Sequence, residues 1–222
     1  MHSPGSEKPV RESRKIARQE EQRQRLVEAA KALLHRQGIQ GFSVAAIAAE
    51  AGIAKASFYY YFPSQEALVG SIAEGLLEGE AEAMLQAVNA APDGIRGLSA
   101  LLRCRVDRYK DDFPSFRLLY LWTEVLGLEE GAVARIAYPR AARVQGRLEE
   151  RLRDDAARGL LHPDVSPREL ASVAWCTAQG LLALASGMAA LGGELRFPIE
   201  RLCEEAAKNL ERGAEKAPDI RV

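Results

Sequence analysis

"AKASFYYYF", residues 54–62, sets five aromatic side chains in a row, Phe58 to Phe62, directly after Lys55, Ala56 and Ser57. The chain has only 6 Phe, 6 Tyr and 2 Trp in 222 residues, so over a third of its aromatic residues sit here. Aromatic runs favour strands. No neighbouring segment offers a partner strand, however, and a lone strand is not stable. Read as a helix, the run places Phe58, Tyr61 and Phe62 on one face by the i, i+3, i+4 rule. These three are expected to anchor the helix to a core. Lys55, Ala56, Ser57, Tyr59 and Tyr60 then project outward.

The outward face carries one cation, one hydroxyl, two phenols and a small residue. That set suits phosphate oxygens, base edges and thymine methyls. The flanks supply the rest of a helix-turn-helix. Ser43 is an N-cap for a short helix with Val44, Ile47, Ala48 and Ala51 inward. Gly52 provides the turn, and small Ala48 allows the two helices to cross closely. Pro63 ends the aromatic helix, because the residue before a proline avoids helical geometry. In such a unit the second helix enters the major groove.

Residues 41–68, "GFSVAAIAAEAGIAKASFYYYFPSQEAL", closely resemble the DNA-binding segment of TetR-type (tetracycline-repressor-like) transcriptional regulators. Ile47, Ala48, Ala51, Gly52, Tyr59, Tyr61, Phe62, Glu66 and Leu68 match that pattern, and Ile53 and Phe58 are conservative variants. Ala54 replaces the usual Ser, Ala56 the usual Gly and Gln65 the usual Lys. The resemblance implies that Ser43 contacts phosphate and that Lys55 and Tyr59 hold the DNA backbone. It also implies that Ala56, Ser57 and Tyr60 face the bases. Arg14, Lys15 and Arg18 would add backbone attraction or reach a minor groove, or else remain a solvated basic arm.

Charge is divided along the chain. Residues 1–62 hold ten Lys and Arg against six Asp and Glu, a net of +4, whereas the whole chain sums to −1. No global basic excess advertises nucleic acid, but a basic head on an acidic body is an asymmetry to explain. Cys104, Cys176 and Cys203 are distant from one another, which argues against a disulfide framework and for a reducing, cytoplasmic setting. No apolar run reaches the roughly 20 residues of a membrane span, so no membrane partner is expected. Leu170–Leu191 reads as a buried helix.

The remaining pattern is helical throughout. The expected class is all-α: a mobile arm at 1–13, a three-helix DNA-binding domain at 14–63, a larger helical bundle at 64–213 and a frayed tail at 214–222. Leu26, Ala29, Ala30, Leu33 and Leu34 line the first helix, and Gly38 caps it. Ser64 caps a long fourth helix to about Ala90, and "APDG" at 91–94 is a turn. Helices follow at about 95–111, 115–127 and 129–158, the last kinked or split by Pro139. Ser166-Pro167-Arg168-Glu169 starts a helix running to about Leu191, and a final one spans about 198–213.

The resemblance implies that this bundle binds a small-molecule effector and forms a homodimer on an operator palindrome in double-stranded DNA. The pattern adds two hints. Ala171, Ala174, Ala178, Leu181 and Ala185 form a small-residue stripe beside Gly180 and Gly187, and Ile199, Leu202, Cys203, Ala206 and Leu210 form another; either would serve a four-helix interface or the monomer core. Cys104, Tyr109, Phe116, Trp122, Trp175 and Gln179 are the candidate ligand contacts, with an apolar bias. Arg140, Arg143, Arg147 and Arg151 read as an ion-paired solvent face. Gly70, Gly75 and Gly79 would make the fourth helix pliable. Neither a phosphate-binding glycine loop nor metal-ligand spacing occurs, no cofactor is implied, and no histidine has a nucleophile in a catalytic spacing. An enzyme is therefore the weaker reading, and a DNA-silent interaction module the other rival.

Overall fold

The computed structural model describes residues 7–121 and 132–216. Among these residues the structure consists of helices joined by turns, with one isolated bridge between Leu161 and Glu215. The described residues divide into two units, 7–73, and 74–121 with 132–216.

The first unit holds α1 (Glu7–Gln37), a short 3-10 turn (Ile39–Gly41), α2 (Val44–Glu50), α3 (Lys55–Tyr61) and the start of α4 (Gln65–Ala90). The apolar stripe of α1 is buried as expected, with Leu26 and Ala30 fully enclosed. Gly38 and Gly52 both sit at positive φ, 64° and 72°, which side chains with a Cβ rarely adopt. Each breaks a helix where the next must change direction. α1 begins at Glu7, so 7–13 are helical and not the arm expected there; residues 1–6 lie outside the described part.

In the second unit α4 continues, followed by α5 (Gly94–Tyr109), α6 (Phe113–Tyr120), α7 (Ala132–Ala157), α8 (Pro167–Ala190) and α9 (Ile199–Ala214). α5 is central, packing on α7, α8 and α9. Two carboxylates cap its N-terminus: Asp93 accepts from the Arg96 amide at 2.7 Å, and buried Asp155 of α7 accepts from the Ile95 amide at 2.9 Å. Such caps satisfy amides that the helix itself leaves open. Ser166 caps α8 through the Glu169 amide.

Several expectations need correction. α6 ends at Tyr120, where the Leu121 amide bonds to the Arg117 carbonyl, and residues 122–127 of the expected helix lie outside the described residues. Pro139 lies inside a continuous α7 and does not split it; Arg140 Nη1 donates to the Ile136 carbonyl at 3.0 Å, next to the carbonyl the proline leaves without its amide. Ala214 is fully buried, Lys216 N bonds to Leu160 O and His162 N to Ala214 O, so the start of the predicted tail is pinned.

The arginine ridge of α7 faces α4 more than solvent. Arg140 and Arg143 both reach Glu78 at 2.7 Å, Arg147 reaches Asn89, and Arg151 reaches the Ala91 carbonyl. Gly79 serves packing: a Cβ there would stand 3.2 Å from the Arg108 guanidinium, which donates across α4 to the Leu76 carbonyl.

A helix-turn-helix face and a buried polar cluster

The geometry of the first unit starts at α2. The Ser43 hydroxyl accepts from the Ala46 amide at 3.2 Å, leaving its proton free to donate outward. Ile47 and Ala48 are buried, and Val44 and Ala51 are half-buried. Arg36 of α1 and Glu50 of α2 form a two-pronged pair at 2.9 and 2.8 Å. The Arg36 guanidinium holds the Glu50 carboxyl below its usual range. The turn closes with Ile53 N on Ala48 O at 2.9 Å.

α3 divides its aromatic residues by face. Phe58 and Phe62 are buried at 0% and 1% exposure, whereas Tyr59 and Tyr60 are 51% and 63% exposed. Lys55, Ala56 and Ser57 are exposed beside them, as is Ser43 at the head of α2. Burial of each phenylalanine contributes roughly 1.5–3 kcal/mol, which fixes the outward direction of the other face. Phe62 adopts an extended backbone before Pro63, as the proline demands.

Tyr61 differs from expectation. It is half-buried, not a core anchor, and its ring stands edge-on to Tyr60 at 5.0 Å. It buttresses an outward phenol. The anchor missed by the sequence reading is Arg23 of α1, whose guanidinium lies 4.2 Å over the Phe62 ring and whose Nη1 donates to the Tyr61 carbonyl. Arg14, Lys15 and Arg18 are exposed along α1.

The second unit encloses a polar cluster within apolar helices. Arg105 of α5 is wholly buried; its Nε donates to Glu80 Oε1 at 2.9 Å and its Nη2 to Gln179 Oε1 at 2.6 Å. Tyr109 and Tyr120 donate to Glu80 Oε2 at 2.9 and 2.6 Å. Burial first, and then the adjacent Glu80 carboxylate, push both phenols well above the ordinary tyrosine value. Arg105 also stacks on Trp175 at 4.1 Å and on Tyr120 at 5.0 Å. Phe116 packs on both tyrosine rings.

Of the predicted ligand contacts, Tyr109, Phe116, Trp175 and Gln179 meet in this cluster. Cys104 is half-buried on α5, its thiol raised by burial, and Trp122 lies outside the described residues. Glu80 and Arg105 were not anticipated. Their signal was present: Leu98, Leu101, Leu102, Arg105 and Tyr109 share one stripe of α5, so Arg105 falls where a leucine is expected. A charge in such a stripe marks a buried pair.

Residues 26–72 match the family described as bacterial regulatory proteins, tetR family. Over these residues the chain is similar to that family. Solved structures extend the likeness to most of the chain. A TetR/AcrR-family regulator of Thermobifida fusca is 18% identical, covering 88% of this chain and 100% of its own, with a TM-score of 0.70. A protein of Saccharomonospora viridis in complex with choline is 18% identical, covering 89% and 100%, at 0.72. The ketosteroid transcriptional regulator KstR2 of Mycobacterium tuberculosis is 17% identical, covering 88% and 95%, at 0.65. At these identities the likeness establishes a shared fold, that of a TetR-type regulator. No curated protein matches the chain.

Proposed function

We propose that the protein is a ligand-responsive transcriptional repressor that binds a palindromic operator in double-stranded DNA as a homodimer and leaves it when a small hydrophobic effector binds. The observation that carries this is the division of α3. Tyr59 and Tyr60 are exposed with Lys55, Ala56 and Ser57, while Phe58 and Phe62 hold the helix from behind. Exposed aromatic side chains on a basic, short helix of a helix-turn-helix have a clear use in the major groove. Ser43, Lys55 and Tyr59 take backbone phosphates; Ala56, Ser57 and Tyr60 take base edges.

Dimer formation is supported by α8 and α9. The Ala171, Ala174, Ala178 and Ala185 stripe is buried within the unit, joined by Leu182 in place of the expected Leu181. It serves the monomer core. Val173 and Leu184 on α8 and Leu191 just past its end are exposed, and Gly180 and Gly187 lie between them with open space where a Cβ would stand. On α9, Leu202, Ala206 and Leu210 are only half-buried. By length and composition α8 would suffice to cross a membrane, with 28% of its apolar window buried. An apolar stripe with open glycines suits a second copy of the same two helices.

The effector would bind among the aromatic residues of the second unit, and α4 would relay it. That helix is continuous from Leu68 and Ile72, in the first unit, to Glu80 and Met84, in the second. An effector that favours one arrangement of Glu80 shifts the population of DNA-binding forms. Footprinting on DNA flanking the protein's own gene, with and without apolar small molecules, tests the proposal. A protected palindrome that loses protection with one of them supports it. Protection that no effector changes would refute the ligand response alone, and none under any condition would refute the regulator.

A further inference from the structure

The Arg105 cluster is more than a structural clamp. A buried guanidinium is costly unless each of its donors is paired. Nε and Nη2 are paired, but Nη1 is buried and has no hydrogen-bond partner among the described residues. Glu80, by contrast, is saturated, with Arg105 on one oxygen and two phenols on the other. What the cluster lacks is one acceptor.

Next to it lies a cavity of about 10 Å³ bordered by Glu80, Tyr120, Trp175 and Arg140, with Leu77 and Met84 among its apolar walls. Such a space holds at most one water. Its α7 wall carries two of the smallest side chains. Ala137 and Ala141 line it, both small, and Pro139 between them removes a helical hydrogen bond. A guest entering there would have to part the Arg140 and Arg143 pairs with Glu78 that hold α7 to α4 before it reached the arginine cluster.

Charge decides what that guest carries. Arg105 and Glu80 neutralise each other, Arg140 is paired with Glu78, and both tyrosines are held protonated. A carboxylate would bring an uncompensated negative charge beside Glu80. A quaternary ammonium would need the aromatic faces of Trp175 and Tyr120, which Arg105 already covers. Choline, bound by the Saccharomonospora viridis protein, is thus a poor guide here. Resting on the reading that this unit takes a small molecule, we propose that its effector is an uncharged apolar compound whose carbonyl oxygen accepts a hydrogen bond from Arg105 Nη1.

Four probes with one phenyl body separate the head groups: acetophenone, benzoate, phenyltrimethylammonium and ethylbenzene. Calorimetric titration of the full chain is expected to show acetophenone binding roughly tenfold or more tightly than the other three, the worth of one hydrogen bond to a charged donor. Arg105→Lys, which keeps the charge but removes Nη1, should reduce acetophenone to the level of ethylbenzene. Should that variant fail to fold, guanidinium 15N resonances of the unaltered protein serve instead: Arg105 signals move with acetophenone and stay with ethylbenzene. Equal binding of ethylbenzene and acetophenone would overturn the anchor while leaving an apolar effector site intact. Preference for benzoate or the ammonium probe, or no binding by any of the four, would overturn the inference and leave DNA binding unaffected.

Discussion

Ala54 caps α3 with its backbone alone. Its φ and ψ are −67° and 144°, and no side chain accepts the first amides of the helix. Ser43 and Ser64 show what a hydroxyl does at the neighbouring caps. Ala54→Ser is therefore expected to stabilise the protein by about 1 kcal/mol in urea denaturation, with an unchanged m-value. Arg23 is the opposite case, a side chain already in use. Removing it frees the Tyr61 carbonyl and uncovers the Phe62 ring, so Arg23→Ala should lower both stability and DNA affinity. The aromatic run was legible in the sequence because spacing alone separates Phe58 from Tyr59. Arg23 was not, because its partner lies 38 residues away and nothing local marks the contact.

Elements carry the next layer, and glycine shows it most plainly. A Cβ at Gly94 would stand 2.5 Å from Arg151 C and Leu152 N, the backbone of α7. Backbone cannot swing aside, so Gly94→Ala is expected to cost roughly 1–3 kcal/mol by thermal or chemical denaturation. Gly180 has no atom within 4 Å of its would-be Cβ. Gly180→Ala should leave an isolated protomer unharmed and weaken the homodimer if the two α8 helices meet there.

The polar cluster adds a pH signature. Tyr109 and Tyr120 have folded values above their unfolded value of about 10, so their contribution is fully present below that pH. Above it the unfolded chain releases protons that the folded chain retains, and stability falls. Urea midpoints across the alkaline range should therefore decline beyond pH 10, and less steeply in Tyr120→Phe. Helix existence was readable from caps and stripes at Ser43, Ser64 and Ser166. The polar cluster was harder to see, because Glu80 and Arg105 each look like a lone charge until the fold pairs them. Pro139 kinks or splits a helix by local rules, and packing in the second unit keeps α7 from splitting there.

For the whole molecule, two surfaces must act together. On the proposed reading, the apolar stripe of α8 would meet a second copy, and α3 would meet two half-sites in register. Leu184→Glu places a charge in the stripe and is expected to shift the protein to monomers in sedimentation velocity, with loss of cooperative operator binding. Selection of duplexes from a random-sequence library, followed by affinity measurement over a salt series, addresses the central claim most directly. The account predicts a palindrome and an affinity that falls steeply with salt. It further predicts a roughly tenfold or greater loss on every sequence for Tyr59→Ala, and an altered selected sequence for Ser57→Ala or Tyr60→Ala. If selection returns no palindrome, or if all three variants bind as the parent does, the outer face of α3 does not read DNA.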